Sequence, residues 1–189
     1  MGERDAGWRA LRSRSDASGS WRRRVTPVHR PPDRSHAPAR PLGPLRRLLD
    51  APVANVAAFA FLLNYPWEFL QVPLFRGMPT ASHWDAIKVC TSATLGDTVI
   101  AVVAFWGVAA AAGTRRWILA PSAGQLAGFV AIGVAITLVL EWLATGPLGR
   151  WEYAEAMPIV PLLGVGLSPV LQWILLPPLV AWFVRRQLT

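Results

Sequence analysis

The stretch ILAPSAGQLAGFVAIGVAITLVLEWLA, residues 118–144, is almost entirely apolar and carries a single charged side chain, that of Glu141. An α-helix rises about 1.5 Å per residue, so a stretch of this length can cross the roughly 30 Å hydrocarbon layer of a bilayer. Backbone polar groups in lipid must pair within the segment, which makes a helix the structure to expect. This stretch therefore predicts a transmembrane helix.

Three further apolar stretches have a comparable length, at 53–75, 88–112 and 159–184. The whole chain is 53% hydrophobic and holds 10 tryptophans in 189 residues, which is too apolar and too aromatic for an ordinary soluble domain. We therefore predict an all-α fold, an integral membrane four-helix bundle formed by residues 51–189.

Residues 1–50 differ in composition from the rest, since they are rich in Arg, Pro and Ser. They hold 12 Arg and 5 acidic residues, a net charge of +7, whereas residues 51–189 carry 7 basic and 6 acidic residues, a net charge of +1. Because it has little apolar surface to bury, we expect this segment to be a disordered cytoplasmic tail, free or held against anionic lipid. The positive charge belongs to the tail and not to a folded face, so we predict no nucleic-acid binding.

Arginine pairs at 46–47, 115–116 and 185–186 flank the apolar stretches at alternate ends. By the positive-inside rule, this alternation predicts that both termini are cytoplasmic. The same orientation predicts two interfacial belts of aromatic residues: Trp84, Trp142, Trp151 and Tyr153 on the outer side, and Trp117 and Trp182 on the inner side.

Three acidic side chains lie inside the predicted spans, Glu68, Asp97 and Glu141, each in the outer half of its span. A carboxylate near the centre of a membrane helix costs about 2.5 to 3.5 kcal/mol on insertion scales, so such residues usually face the bundle interior and mark functional sites. We take the three acids as candidate catalytic residues; structural hydrogen bonding between helices is the alternative.

Polar residues repeat at helical spacing around these acids, so that each span offers one polar face to a common centre. Asn64 and Glu68 share a face of the first span, and Gln172 lies on the polar face of the fourth. Arg150, in the loop after the third span, is either a countercharge for the acids or an interface anchor. We predict that Asn64, Gln172 and Arg150 support the acids in a pocket that opens outward.

Apart from Lys88, the first residue of the second span, no basic residue lies within a span to balance the acids. Either the carboxyls are partly protonated or a cation, including a cationic substrate, joins them. A protonated carboxyl suits a general acid that protonates an alkene or epoxide, and the same groups could carry protons in a transporter. The lone Cys90 and the absence of zinc-type spacing predict no cofactor-binding residues and leave the metal requirement open.

Several short segments resemble a group of small bacterial multi-pass membrane proteins of unassigned function, over nearly all of residues 53–180. The segments are Asn64-Tyr65-Pro66-Trp67-Glu68, Cys90-Thr91, Leu95-Gly96-Asp97, Glu141-Trp142, Gly149-Arg150-Trp151, Met157-Pro158 and Gly164 to Trp173. This resemblance implies a multi-pass protein of the bacterial cytoplasmic (inner) membrane. Trp67-Glu68 and Asp97 are also similar to the Trp-Glu pair and second acid of the integral-membrane terpene cyclases.

These observations support three hypotheses about function. The first is a membrane-embedded enzyme acting on a lipid-soluble substrate such as an isoprenoid, with Glu68 as proton donor and Asp97 as its charged partner. The second is a small proton- or cation-coupled transporter working as a homo-oligomer. The third is an accessory subunit of the membrane without chemistry of its own. The expected partners are the lipid bilayer, a lipid-soluble small molecule and a second copy of the chain.

Overall fold

The computed structural model describes residues 51–189, which form four long helices. The helices are α1 (Pro52–Gln71), α2 (His83–Ala112), α3 (Ala123–Thr145) and α4 (Leu167–Leu188), with short 3-10 turns at Val72–Leu74, Met78–Thr80 and Trp117–Leu119. Within this described part of the chain there is no β-strand, only isolated bridges. The predicted all-α, four-helix fold is confirmed; the predicted disordered tail, residues 1–50, lies outside the described residues.

The four helices form a bundle in which each helix lies beside its neighbours in the sequence and α4 lies beside α1. Helix α1 packs against α2 and α4, and α3 packs against the same two neighbours. We call the end of the bundle with residues 72–82 and 146–166 the outer end, and the end with residues 113–122 the inner end, after the orientation predicted above. Both ends of the bundle interior are therefore lined by all four helices.

Three of the helices, α2, α3 and α4, are long and apolar enough to cross a membrane by length and composition. Helix α1 has 20 residues but a more polar sequence. Its polar side chains are buried: Asn55, Asn64, Glu68 and Gln71. The residues that lower the mean hydropathy of α1 are therefore those that face the bundle interior.

Helix α4 begins at Leu167 and not at residue 159, as predicted from apolar length. Leu162 and Gly164 have positive φ angles of 70° and 69°, which a right-handed helix does not allow. Residues 159–166 form a small hairpin instead, in which the amide of Val160 donates to the carbonyl of Val165 at 2.8 Å. An apolar stretch long enough for a helix therefore holds a turn.

The other boundaries follow local capping signals. Helix α3 begins at Ala123 and not at 118, because Ser122 and Gln125 form a capping box that fixes the first turn. Helix α2 begins earlier than the predicted residue 88, at His83, because the Ser82 hydroxyl accepts a hydrogen bond from the amide of Asp85. Gly113, with φ 66°, ends α2.

The inner half of the bundle is an apolar core with an aromatic cluster. The ring centroids of Phe105 and Trp117 lie 5.7 Å apart, and those of Trp117 and Phe129 lie 5.6 Å apart. Trp117, which was predicted at the inner interface, has a side chain buried in the bundle, where its Nε1 donates to the carbonyl of Phe105 at 3.3 Å. Trp117 belongs to the short 3-10 turn Trp117–Leu119, which connects α2 to α3 and places its side chain inside the bundle.

A close contact between α3 and α4 lies near the middle of the bundle. An ideal Cβ built on Gly133 would lie 2.0 Å from Cε3 of Trp173, so only glycine allows the indole ring to pack there. The Trp173 side chain is buried. This contact brings α4 close enough for the next residue towards the outer end, Gln172, to reach α1 and α2.

Candidate functional site

Gln172 joins three of the four helices through one nitrogen atom. Its Nε2 donates to Oδ1 of Asn64 at 2.7 Å, to Oδ2 of Asp97 at 2.9 Å and to Oε1 of Glu68 at 3.2 Å. An amide nitrogen carries two hydrogens, so three oxygens compete for two donors. The arrangement therefore has room for one more proton or donor among these oxygens.

The carboxyls of Glu68 and Asp97 converge on the same donor, Nε2 of Gln172, at 3.2 Å and 2.9 Å. Two carboxyls this close disfavour the charged form of each other, so the pair favours keeping one proton. Gln71 adds a donor from the same helix, with its Nε2 2.8 Å from Oε1 of Glu68, and Ser168 of α4 donates to Oε1 of Gln71 at 2.9 Å. We call Glu68 and Asp97 the carboxyl pair.

The carboxyl pair has no cationic partner in the described part of the chain. The two ion pairs among residues 51–189 join Arg76 to Glu152 and Lys88 to Asp85, and all four of these side chains are more than half exposed. Glu68, Asn64 and Gln172 are buried, and Asp97 is partly buried. With no described cation beside them, the two carboxyls can reduce their mutual repulsion by keeping one proton between them.

Glu141 lies near the pair on the remaining helix, α3, close enough for its charge to act on both carboxyls. It is buried and accepts hydrogen bonds from the hydroxyl of Tyr153 and from Nε1 of Trp151, the latter at 3.3 Å. Burial, and then the hydrogen bond to Glu141, raise the pKa of the Tyr153 phenol well above its ordinary value. Tyr153 is therefore a donor to Glu141 throughout the physiological pH range.

Residues 151–155, which include Tyr153 and which we call the roof segment, lie over the outer end of the bundle. The amide of Ala154 donates to the carbonyl of Leu74 at 2.9 Å, and the amide of Arg76 donates to the carbonyl of Glu152 at 2.9 Å. The side chains of Arg76 and Glu152 also form an ion pair, with Nη1 of Arg76 2.8 Å from Oε2 of Glu152. This segment roofs Glu141 and connects it, through Tyr153, to the outer surface.

The structure brings together five of the six predicted site residues. Asn64, Glu68, Asp97 and Gln172 are directly connected, and Glu141 is their neighbour on α3. Arg150 is different: its side chain is exposed and forms no ion pair with the acids, and only its backbone amide is engaged, with the carbonyl of Ala144 at 2.7 Å. It does not act as a countercharge in this conformation.

Tyr153 and Trp151 are site residues that sequence reasoning placed only in an interfacial belt. The signal that could have found them is an aromatic donor in the loop directly after a helix that ends with a buried acid. The hydroxyls of Thr94, Thr98 and Thr145, by contrast, each donate to the carbonyl four residues earlier in their own helix. They add nothing to the carboxyl pair.

Two spaces lie near the site. A cavity of about 10 Å³, the lower limit for one water molecule, is lined by Asn64 and Gln172 on its polar side and by Trp173 and Pro177 along α4. A groove of about 220 Å³ runs along α3 beside the hairpin, and its lining is apolar: Leu138, Val139, Trp142, Leu163 and Val165. Neither space admits a large molecule to the carboxyl pair itself.

Among residues 51–189, no group of three or more His, Cys, Asp or Glu side chains is arranged to hold a metal ion. Comparison of the chain with protein-family models, with curated proteins and with solved structures finds no match. The argument for function therefore depends on the geometry of the site.

Proposed function

We propose that this chain is a small proton-coupled transport protein of a bacterial cytoplasmic membrane, in which the carboxyl pair binds and releases the transported proton. The observation that carries the proposal is the convergence of Glu68 and Asp97 on one donor, Nε2 of Gln172, with no described cation beside the two carboxyls. Such a pair gains or loses one proton with little rearrangement, because Gln172 can serve either oxygen.

Glu141 and Tyr153 extend the proposed proton route towards the outer side. Glu141 accepts a hydrogen bond from the phenol of Tyr153, which is partly exposed. Along this bond the phenol can give its proton to Glu141 while it regains one from solvent, and the reverse exchange returns the proton to solvent. Among the described residues no hydrogen bond joins Glu141 to the pair, so a water molecule completes the proposed step between them.

Transport is preferred to the enzyme hypothesis because of the space around the acids. The cavity beside Gln172, the donor to the carboxyl pair, is only water-sized, whereas an isoprenoid would need hundreds of cubic ångströms next to the acids. The apolar groove on α3 keeps the enzyme as a second candidate, since it could hold a lipid-soluble chain close to Glu141. Comparison of the lipids of deletion and wild-type cells tests it: an altered lipid would favour the enzyme.

Proton flux in liposomes tests the transport proposal. The purified protein is reconstituted with an internal pH indicator, and flux is driven first by a potassium diffusion potential and then by a gradient of Na⁺ or K⁺. We expect flux above that of empty liposomes, and a loss of at least about tenfold in Glu68→Gln and Asp97→Asn, a modest share of the 10²–10⁴ that a positioned proton donor contributes.

The matched control is Glu155→Gln, which removes an exposed acid of the roof segment outside the site. It should retain the wild-type rate. Protein level and unfolding temperature are measured in parallel; interhelical hydrogen bonds in membranes contribute only about 0.6 kcal/mol on average, so the amide variants should remain folded. Equal flux in wild type and in the double variant Glu68→Gln, Asp97→Asn would contradict the proposal.

The proposal includes four membrane crossings, α1 among them, with both termini in the cytoplasm. Support comes from the burial of the polar side chains of α1 and from the arginine pairs at the inner end. Reporter fusions after Arg116 and Thr189 should report cytoplasm, and fusions near Met78 and Glu152 should report the outer side. A cytoplasmic signal at Glu152 would contradict this topology.

A further inference from the structure

The cavity beneath the carboxyl pair has the features of a water site. Its volume of about 10 Å³ is close to that of a single probe sphere, and a buried water needs that space together with two to four polar partners. Three of its lining side chains are polar: Asn64, Gln172 and Trp173. All three are at least 97% buried, so bulk solvent does not satisfy them.

The hydrogen-bonding capacity of these side chains is not used up. Nε1 of Trp173 is buried and has no hydrogen-bond partner among the described residues. The hydrogen bonds of Gln172 to described side chains all start from Nε2, which leaves its Oε1 as an acceptor. Asn64 donates one of its two amide hydrogens to the carbonyl of Ala60 and keeps the second.

The surroundings of Trp173 leave this donor unused. The Cε3 edge of its indole ring packs over Gly133 of α3, and Nε1 belongs to the other ring of the indole. Pro177, which also lines the cavity, has no N–H, and so the carbonyl of Trp173, one turn earlier, lacks its usual helical partner. Trp173 therefore lines the cavity and has an indole N–H without a described partner.

We infer that this cavity binds one water molecule, which bonds to Trp173, Asn64 and Gln172 and positions Gln172 against the carboxyl pair. The unpartnered indole N–H of a buried tryptophan that lines a water-sized cavity carries this inference. Gln172 lines the cavity and donates to both carboxyls, so it provides the link. The role of the water in positioning Gln172 for the pair rests on the proposed transport function; its presence does not.

Towards the inner end of the bundle, the side chains that line the cavity are apolar. The cavity ends on Phe129, Leu176 and Val180, and the aromatic cluster of Phe105, Trp117 and Phe129 follows. In this conformation the bundle interior is therefore closed by apolar side chains between the cavity and the inner end.

The experiment uses the full chain in micelles and liposomes with two readouts. The first is the nitrogen-15 spectrum of the indole groups, in which Trp173→Phe identifies the Trp173 resonance. We expect a magnetisation-transfer peak between this N–H and water in wild type, and its loss in Ala101→Val, which adds two methyl groups at the cavity wall. Absence of the peak in the folded wild-type protein would overturn the water site, whatever the flux.

The second readout is proton flux in liposomes. Ala101→Val should lower the flux at least about tenfold, because it displaces the water that positions Gln172 against the carboxyl pair. The matched control, Ala58→Val, lies on the exposed side of α1 and should change neither the water peak nor the flux. Loss of the peak with unchanged flux would overturn the positioning role. A wild type without flux would overturn the transport function, while the peak still decides the water site.

Discussion

The outer and inner halves of the bundle interior are built by the same four helices but stabilised by different forces. The inner half is held by fully buried apolar side chains such as Val56, Phe105 and Phe129. The outer half is held by directional hydrogen bonds from Gln172 to Asn64 and to the carboxyl pair. Packing fixes where the helices meet, whereas the polar bonds fix which atoms face one another and can exchange a proton.

The largest loss of stability is expected when the packing of the inner half is disrupted. Phe105 is fully buried, and Phe105→Ala should lower the free energy of unfolding by about 3 to 5 kcal/mol through lost burial and a new cavity. Val103→Ala, at a half-exposed position of the same helix, is the control and should cost much less. Thermal unfolding in detergent measures both, and similar losses would show that the inner half is not a packed core.

The second effect concerns the donor that organises the outer half. Gln172→Leu keeps the side-chain volume but leaves Asn64 and the carboxyl pair without their shared donor, which should cost about 1 to 3 kcal/mol. The control is Gln187→Leu, the same substitution at an exposed position of α4. If Gln172→Leu unfolds at the wild-type temperature, hydrogen bonding does not stabilise the outer half.

The smallest effect is expected at the roof, where Tyr153 is partly exposed. Burial and the bond to Glu141 raise the pKa of its phenol, so its contribution to stability is complete below the ordinary phenol value of about 10 and is lost as pH rises through the folded value. The unfolding temperature of wild type should therefore exceed that of Tyr153→Phe by a constant margin up to about pH 10, and the margin should shrink at higher pH.

The ultraviolet difference between wild type and Tyr153→Phe isolates this phenol. Its phenolate absorbance should appear only above about pH 10 in the folded protein. Phenolate formation at or below that pH would show that Glu141 and burial do not hold the Tyr153 proton.

Apolar length predicted the helices correctly but not all of their ends. Residues 159–166 are as apolar as a helix requires, yet Leu162 and Gly164 have positive φ angles and form a hairpin. Residues 118–122 are apolar too, but Ser122 and Gln125 start α3 later through a capping box. Hydropathy measures transfer to lipid and is blind to such local backbone preferences, which is why these two boundaries were missed.

The candidate site was predicted in its acids and amides but not in its roof. Helical periodicity placed Glu68 and Asp97 on interior faces, and the structure joins them through Gln172. Arg150, chosen because of its charge, is exposed and unpaired with the acids, whereas Tyr153, which supports Glu141, was assigned to the interface. Loop residues have no periodicity that predicts the direction of their side chains, so proximity in sequence to an acid was a poor guide.

The sequence by itself determined that residues 51–189 form apolar helices with interior-facing acids, because helix length, hydropathy and a repeat of 3.6 residues are properties of each segment alone. Only the tertiary structure decided that Gln172 contacts Asn64, Glu68 and Asp97, residues 75 to 108 positions away in the chain. That contact depends on the close approach of Trp173 to Gly133, since the rotation and height of α4 against its neighbours follow from side-chain packing between helices. No single segment contains that information.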